Sequence, residues 1–365
     1  MTGGGTHLRH LFRSSLPPVN SVQNIFEKHT LLAPLTTMRV GGPARFLLSV
    51  RNIHDLKKGI LFAKEKKVPF FVLGGGSNII VGDRGFSGLV LKMDMRSISF
   101  EDIQNGKTFV TVSAGENWDA FVGETVARGL YGVENLSHIP GTVGAAPVQN
   151  IGAYGMEVKN SILWVEVFDT NTMRTKKLAR DECAFSYRDS IFKQDEGKNL
   201  IVTNVCFLLE RDGSLNTGYK DVQDYLHTHS MRDPSLSEIR DIVVAIRKSK
   251  LPDWNMYGTV GSFFKNPVIS LEKANELKKR FSEMPLFPAK DGVKIPIAWI
   301  LDHVLLWKGK SDGPVGVFSC HSLAIINHGG ATAVDITMFA KKIQQDVLKK
   351  TGISIEPEVS FVGEF

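Results

Sequence analysis

Residues 139–155 read Ile-Pro-Gly-Thr-Val-Gly-Ala-Ala-Pro-Val-Gln-Asn-Ile-Gly-Ala-Tyr-Gly, four glycines and three alanines in seventeen positions. So little side-chain volume cannot build a core of its own. It admits close backbone approach, either by something flat or bulky or by another part of the chain. A second small-residue loop, Gly74-Gly75-Gly76-Ser77-Asn78, follows a strand-like run at 68–73. Three glycines expose backbone N–H groups that can cradle a diphosphate as a nest. Taken alone, the segment fits a hairpin-like turn equally well. Ile79-Ile80-Val81 comes next, β-branched and strand-like, which disfavours a GxGxxG loop opening a helix. Two such loops on one chain point to a long cofactor lying across a groove, with tight domain packing as the alternative.

At 365 residues the chain exceeds a typical single core, so two or three domains are expected. Hydrophobic residues make up 42% and charged residues 22%, ordinary for a soluble globular enzyme. No apolar run approaches the roughly 18 residues of a membrane span. No apolar stretch follows Arg9, His10 and Arg13, so a secretory signal is not expected and residues 1–20 read as a flexible tail. Cys183, Cys206 and Cys320 lie far apart in no CxxC or Cys/His cluster, which argues against a disulfide framework and against bound metal. Each reads as a small buried hydrophobe in a reducing compartment, the cytoplasm. The net charge of +6 comes with no Lys/Arg block or nucleic-acid signature, so small anionic ligands are favoured over nucleic acid.

The pattern at 49–67 is helical, with Ile53, Leu56, Ile60, Leu61 and Ala63 near one face. Strands are expected at 68–73, 88–92, 108–114, 162–168 and 200–209, with a helix at 118–128. From about residue 252 helices dominate, at 271–281, 297–304 and 333–350, the last stopped by Gly352. The tail at 353–361 alternates like a final strand. The class is α+β in at least two domains.

Four segments carry candidate chemistry. In Gly258-Thr-Val-Gly261-Ser262-Phe263-Phe264-Lys265-Asn266-Pro267, a glycine turn and two aromatic anchors bracket a serine. It suits a proton donor or nucleophile, or a turn whose serine bonds its own backbone. In Ser186-Tyr187-Arg188-Asp189, the arginine fork suits a carboxylate or phosphate; a surface Arg-Asp pair is the plain reading. Arg247-Lys248-Ser249-Lys250 puts three cations before Pro252, as the last turn of a helix also does. In Glu356-Pro357-Glu358 both acids sit on extended backbone, on one face at i and i+2, as an acidic edge or a functional pair.

The segment 261–267 resembles the proton-donor motif of the UDP-N-acetylenolpyruvoylglucosamine reductase family, flavoenzymes of peptidoglycan synthesis. Residues 73–78 resemble that family's pyrophosphate loop and 140–155 its flavin-contacting signature. The resemblance extends from about residue 36 to 363, with the motifs in order. It implies an FAD-binding fold of the vanillyl-alcohol oxidase (PCMH) type and a separate C-terminal α+β substrate-binding domain. The implied boundaries are a tail at 1–20, a first FAD-binding subdomain at 21–95 joined by the strand 354–365, a second at 96–251, and a substrate-binding domain at 252–353.

The activity implied is NADPH-dependent reduction of UDP-N-acetylglucosamine enolpyruvate to UDP-N-acetylmuramate by a monomer holding FAD non-covalently. NADPH would reduce the flavin, whose N5 would pass hydride to the enolpyruvyl C3. Arg188, Ser262 and Glu358 are the catalytic residues the resemblance implies, Arg188 on the substrate carboxylate and Ser262 protonating C2. For the cofactor it implies Gly74, Gly75, Gly76, Ser77, Asn78, Ile139, Pro140, Gly141, Gly144, Gln149, Asn150, Gly152, Ala153, Tyr187 and Arg247. For the substrate it implies Tyr219, on a covering loop of the type I class, with Lys250 on the diphosphate and Asn266. The chain departs from the pattern at Ser360, where the family usually has a flavin-contacting arginine. Glu358 beside a substrate carboxylate meets a like charge, which favours a protonated, hydrogen-bonding acid unless Arg188 lies between them. The rival readings are an oxidase of the same flavin fold with a tethered flavin, and a binding module without turnover.

Overall fold

The computed structural model describes residues 25–365. The tail expected at 1–20 lies outside the described residues. Strand β1 (Glu27–Leu31) pairs antiparallel with β2 (Pro43–Val50). Helix α1 (Ile53–Lys66) starts where the Asn52 side chain accepts the Asp55 N–H at 2.9 Å, and ends at Lys67 in the left-handed region. It returns the chain to β3 (Phe70–Leu73), followed by β4 (Ile79–Val81) and β5 (Phe86–Met93). Strand β5 lies parallel to both β2 and β3, giving the order β1-β2-β5-β3. Leu56, Ile60 and Ala63 of α1 are buried. Leu61, expected on that face, is exposed, because one residue past Ile60 rotates it about 100° away.

The second sheet is antiparallel. Strands β6 (Ile98–Asp102) and β7 (Lys107–Ser113) precede helix α2 (Trp118–Ala127). The small-residue segment forms one turn, α3 (Ala146–Gln149), and a short hairpin of β8 (Gly152–Ala153) and β9 (Met156–Glu157). Strands β10 (Ile162–Asp169), β11 (Arg174–Ala179) and β12 (Leu200–Glu210) complete the order β11-β10-β12-β7-β6. One apolar core joins both sheets with α1 and α2. Trp118, Phe121 and Phe207 pack at its centre with ring centroids 4.8–6.0 Å apart, worth about 0.5–1.5 kcal/mol per pair beyond area burial.

Two helices follow, α4 (Lys220–Thr228) and α5 (Leu236–Lys250), of which the sequence pattern offered only the last turn of α5 at 247–250. They share a small core of Val222, Ile239, Val243 and Ile246. Ser235 and Glu238 form a reciprocal capping box at the start of α5. Its end is set by Leu251, which is extended before Pro252.

The C-terminal part contains β13 (Gly258–Ser262), β14 (Val268–Ile269), α6 (Leu271–Arg280), β15 (Phe287–Ala289) and β16 (Gly292–Lys294). Helix α7 (Ile297–Trp299) runs on as a π-turn over Ile300–Val304. Then come β17 (Ser311–Asp312), β18 (Val315–Val317), β19 (Ala324–Asn327), α8 (Ala333–Thr351) and β20 (Ser360–Val362). The main sheet here runs β13-β19-β18-β17. Met38, Val40 and Ile80 insert into its core, so the N-terminal part is locked to it. Thr37 Oγ1 donates to Thr259 O at 2.6 Å, and Asn327 Nδ2 to Met38 O at 3.2 Å. The Asp83 carboxylate accepts the first N–H groups of α8, from Ala333 at 2.7 Å and Val334 at 3.0 Å.

Two further expectations differ from the structure. The tail is not a strand from 353: only Ser360–Val362 pairs, parallel to β4. Residues 356–358 bond instead to the loop after β13. Cys320 is exposed, whereas Cys183 and Cys206 are buried.

Candidate active site

Strand β13 carries one residue more than its partner between two pairings, Thr259 with Ile326 and Ser262 with Ala324. The extra residue makes a bulge at Gly261, whose φ of +73° favours glycine. A Cβ there would meet no neighbour, so conformation and not space selects the glycine. The bulge turns Ser262 into a cavity of about 650 Å³, while Phe263 and Phe264 are fully buried behind it. The next stretch of chain lies against the tail. Glu358 N–H donates to Phe263 O at 2.8 Å, and Lys265 N–H to Glu356 O at 3.0 Å. This pairing puts Glu358 on the cavity wall near Ser262, while Glu356 is exposed.

Arg188 enters from the other side, on a turn where it adopts φ +55°. Its Nη2 donates to Gly152 O at 2.6 Å, and its Nε stands 3.1 Å from Glu358 Oε1. Gln149 Nε2 donates to the same Oε1 at 2.7 Å. Asn78 Nδ2 donates to Gln149 Oε1 at 2.7 Å and to Glu358 O at 3.2 Å. One polar chain therefore links the glycine loop, the small-residue segment, the arginine turn and the tail.

The two small-residue loops touch. A Cβ on Gly75 would lie 2.7 Å from Gly141 Cα, so the backbones approach as only glycine allows. Ser77 Oγ donates to Pro140 O at 3.0 Å. Part of the small volume thus serves chain-on-chain packing, and part lines empty space. Gly74, Gly75 and Thr142 line a second cavity of about 360 Å³, which shares Ile139, Pro140, Gly141 and Thr142 with the large one. Thr142 Oγ1 is buried without a hydrogen-bond partner among the described residues. A buried hydroxyl in that state calls for an acceptor or donor from outside the chain. Together with the glycine backbone it fits the diphosphate of a dinucleotide cofactor.

Of the remaining residues expected at the site, Asn78, Gln149, Gly152, Ala153, Tyr187, Tyr219, Arg247, Lys250 and Asn266 line the large cavity. Gly76, Gly144 and Asn150 line neither. Gly76 packs on Leu35 O, and Gly144 on Ala114. Asn150 is fully buried and donates to Ser186 O at 2.8 Å. They shape the loops from behind. Asn266 Oδ1 accepts the Ile297 N–H at 3.0 Å, which fixes its amide. Ser360 is exposed, lines neither cavity, and donates its N–H to Asn78 O at 3.0 Å.

Several residues at the cavity had no role assigned to them from the sequence. His321, in the connection between β18 and β19, holds Nε2 3.2 Å from Ser262 Oγ. Burial, reinforced by Lys250, Arg247 and Lys308, pushes its pKa down to about 4, so it is neutral near pH 7. Burial raises the Tyr154 hydroxyl to about 12, against the pull of Arg247. Asp221 and Lys294 also face the cavity. Arg188, Arg247, Lys250 and Lys294 outnumber Asp221 and Glu358 on its wall, which suits an anionic ligand. No helix of the described residues is long and apolar enough to cross a membrane.

The family model of an FAD binding domain matches residues 44–175. The model of the UDP-N-acetylenolpyruvoylglucosamine reductase C-terminal domain matches 253–362. The chain is 42% identical over 330 residues to the UDP-N-acetylenolpyruvoylglucosamine reductase of Chromobacterium violaceum, covering 90% of this chain and 96% of that one. With the same-named protein of Pseudomonas aeruginosa it shares 38% over 333 residues, covering 91% and 97%. Among solved structures it resembles the reductase of Thermus caldophilus, with a TM-score of 0.65 at 24% identity over 92% of this chain and 98% of that one, a likeness of fold.

Proposed function

The chain belongs to the UDP-N-acetylenolpyruvoylglucosamine reductase family of flavin oxidoreductases, and from that membership we propose that it reduces UDP-N-acetylglucosamine enolpyruvate to UDP-N-acetylmuramate in peptidoglycan precursor synthesis, with NADPH as reductant and FAD held non-covalently. Its α+β fold is an FAD-binding domain followed by the family's C-terminal domain. The observation that carries the reading is the meeting of Arg188, Ser262 and Glu358 on one cavity beside a glycine cradle.

Bound FAD supplies hydride transfer, from NADPH to the terminal carbon of the enolpyruvyl group. The nest around Gly74, Gly75 and Gly141, with the Thr142 hydroxyl, would hold its diphosphate. Lys250, Tyr219 and Asn266 hold the nucleotide-sugar. Arg188 meets the substrate carboxylate and stabilises the charge that builds there, an electrostatic contribution that often dominates catalysis. Glu358 is interposed with Arg188 at 3.1 Å, and this steers the guanidinium.

Ser262 donates its hydroxyl proton to C2. Serine is a weak acid, so the step relies on a strongly basic carbanion-like partner held in contact, and orientation supplies up to roughly 7–11 kcal/mol. His321 Nε2 stands 3.2 Å from Ser262 Oγ; a neutral imidazole carrying its proton there would donate to the hydroxyl oxygen and leave the serine hydrogen free to face the substrate.

An anaerobic flavin spectrum tests the reading. NADPH should bleach the band near about 450 nm characteristic of oxidised flavin, and the enolpyruvyl UDP-sugar should restore it stoichiometrically. Recovery with oxygen alone would point to another flavin enzyme, and purification without flavin would refute the proposal.

A further inference from the structure

Each carboxylate on the wall of the large cavity is paired with a cation on the same wall. Glu358 holds Arg188 at 3.1 Å, and Asp221 Oδ1 holds Lys250 Nζ at 2.7 Å. The second pair bridges two helices, since Asp221 stands in the first turn of α4 and Lys250 in the last turn of α5. Its side chains are 26% and 48% exposed, so the pair can exchange partners at modest cost. Tyr219 immediately precedes α4, two residues before Asp221, and stands edge-on to Tyr154 with ring centroids 5.4 Å apart.

We propose that Asp221 is an internal counter-ion of the nucleotide site, holding Lys250 in the empty enzyme and competing with an incoming diphosphate for it. The inference rests on the reading that Lys250 binds the substrate diphosphate. Two features favour a competitive role over a purely structural one. An acid in the first turn of a helix is stabilising by itself, yet such an acid has no need to face a ligand cavity, and Asp221 does. An arriving diphosphate presents like charge to Asp221 and opposite charge to Lys250, so binding separates the pair. The competition lowers affinity for the diphosphate and eases its release. It also couples Lys250 to the segment bearing Tyr219, because the freed carboxylate is at the foot of that segment.

The test is titration of FAD-loaded enzyme with UDP by calorimetry at low ionic strength, on wild type, Asp221→Asn, Lys250→Met and the double variant. Uridine serves as the probe without phosphate, and thermal melts report folding. Asp221→Asn should bind UDP about threefold to tenfold more tightly, with uridine unchanged. Lys250→Met should bind UDP more weakly, and most of the Asp221→Asn gain should vanish in its background, as coupled residues require. If Asp221→Asn binds UDP no better than wild type while Lys250→Met weakens it, the counter-ion role is overturned and the diphosphate reading stands. A gain kept in full without Lys250 would also overturn it, leaving Asp221 a simple repulsive charge. UDP affinity untouched by Lys250→Met would remove the diphosphate reading and the inference together.

Discussion

The chemistry depends on single side chains whose surroundings change what they can do. Replacing Ser262 by alanine should slow reoxidation of reduced flavin by the enolpyruvyl UDP-sugar about 10²- to 10⁴-fold, the usual contribution of a positioned acid. Flavin reduction by NADPH should be untouched, and stopped-flow absorbance separates the two half-reactions. At Glu358 the contrast between Glu358→Gln and Glu358→Ala is informative. Near-full turnover in the glutamine variant would mean that a hydrogen bond suffices, and equal damage in both would mean that the charge on the carboxylate is needed to hold Arg188. His321 makes a pH prediction. Its folded pKa of about 4 lies below the ordinary 6.5, so between those values the unfolded chain binds the proton more readily. Its contribution to stability is complete above about pH 6.5 and is lost as the pH falls toward about 4. His321→Gln should therefore lose less stability than wild type between about pH 7 and pH 4.5 in urea unfolding. Equal losses would mean that His321 is not held neutral.

Elements set the positions of these residues, and their ends do most of that. The bulge in β13, the turn bearing Arg188 and the start of α4 each deliver residues to the cavity. The N-terminus of α8 is capped twice, by Thr332 just before the helix and by Asp83 from the chain before β5. Asp83→Ala should cost about 1–2 kcal/mol, as loss of a helix cap does, read as a lower urea midpoint. Because Asp83 joins the two halves of the molecule, the loss should be accompanied by faster amide exchange at Ala333 and Val334. Unchanged exchange there would mean that Thr332 alone holds the end.

At the scale of the whole molecule, the proposed cofactor site draws on parts of the chain far apart in sequence. The cradle joins loops at 74–78 and 139–146, and the cavity wall adds residues from 188 to 358. A ligand that binds only this assembled state stabilises it by mass action, about 2.7 kcal/mol at a hundredfold excess over Kd. Stripping FAD should lower the melting temperature, and adding it back should restore it in a concentration-dependent way. Acid precipitation should release the flavin to the supernatant. Flavin retained in the pellet would identify a covalent tether and contradict non-covalent binding.

The sequence by itself determined what local chemistry can encode. Periodicity marked α1, α2, α6 and α8 and the long strands β7, β10 and β12, because apolar spacing reports a buried face directly. Glycine density marked both loops of the cradle, since only glycine permits that backbone approach. Resemblance marked Arg188, Ser262 and Glu358, but gave no distance between them. Tertiary structure alone decided which residues meet. His321 carries no motif, and its contact with Ser262 exists only because β18 and β19 pair beside β13. Asp221 lay unassigned in a polar stretch until packing of α4 on α5 set it against Lys250. The alternation at 353–361 gave way to a three-residue strand because the chain before it found its hydrogen bonds on the Ser262 loop. Local pattern fixes which way a side chain faces, while long-range pairing fixes what it faces, and a site built from many separate regions of the chain depends on the second.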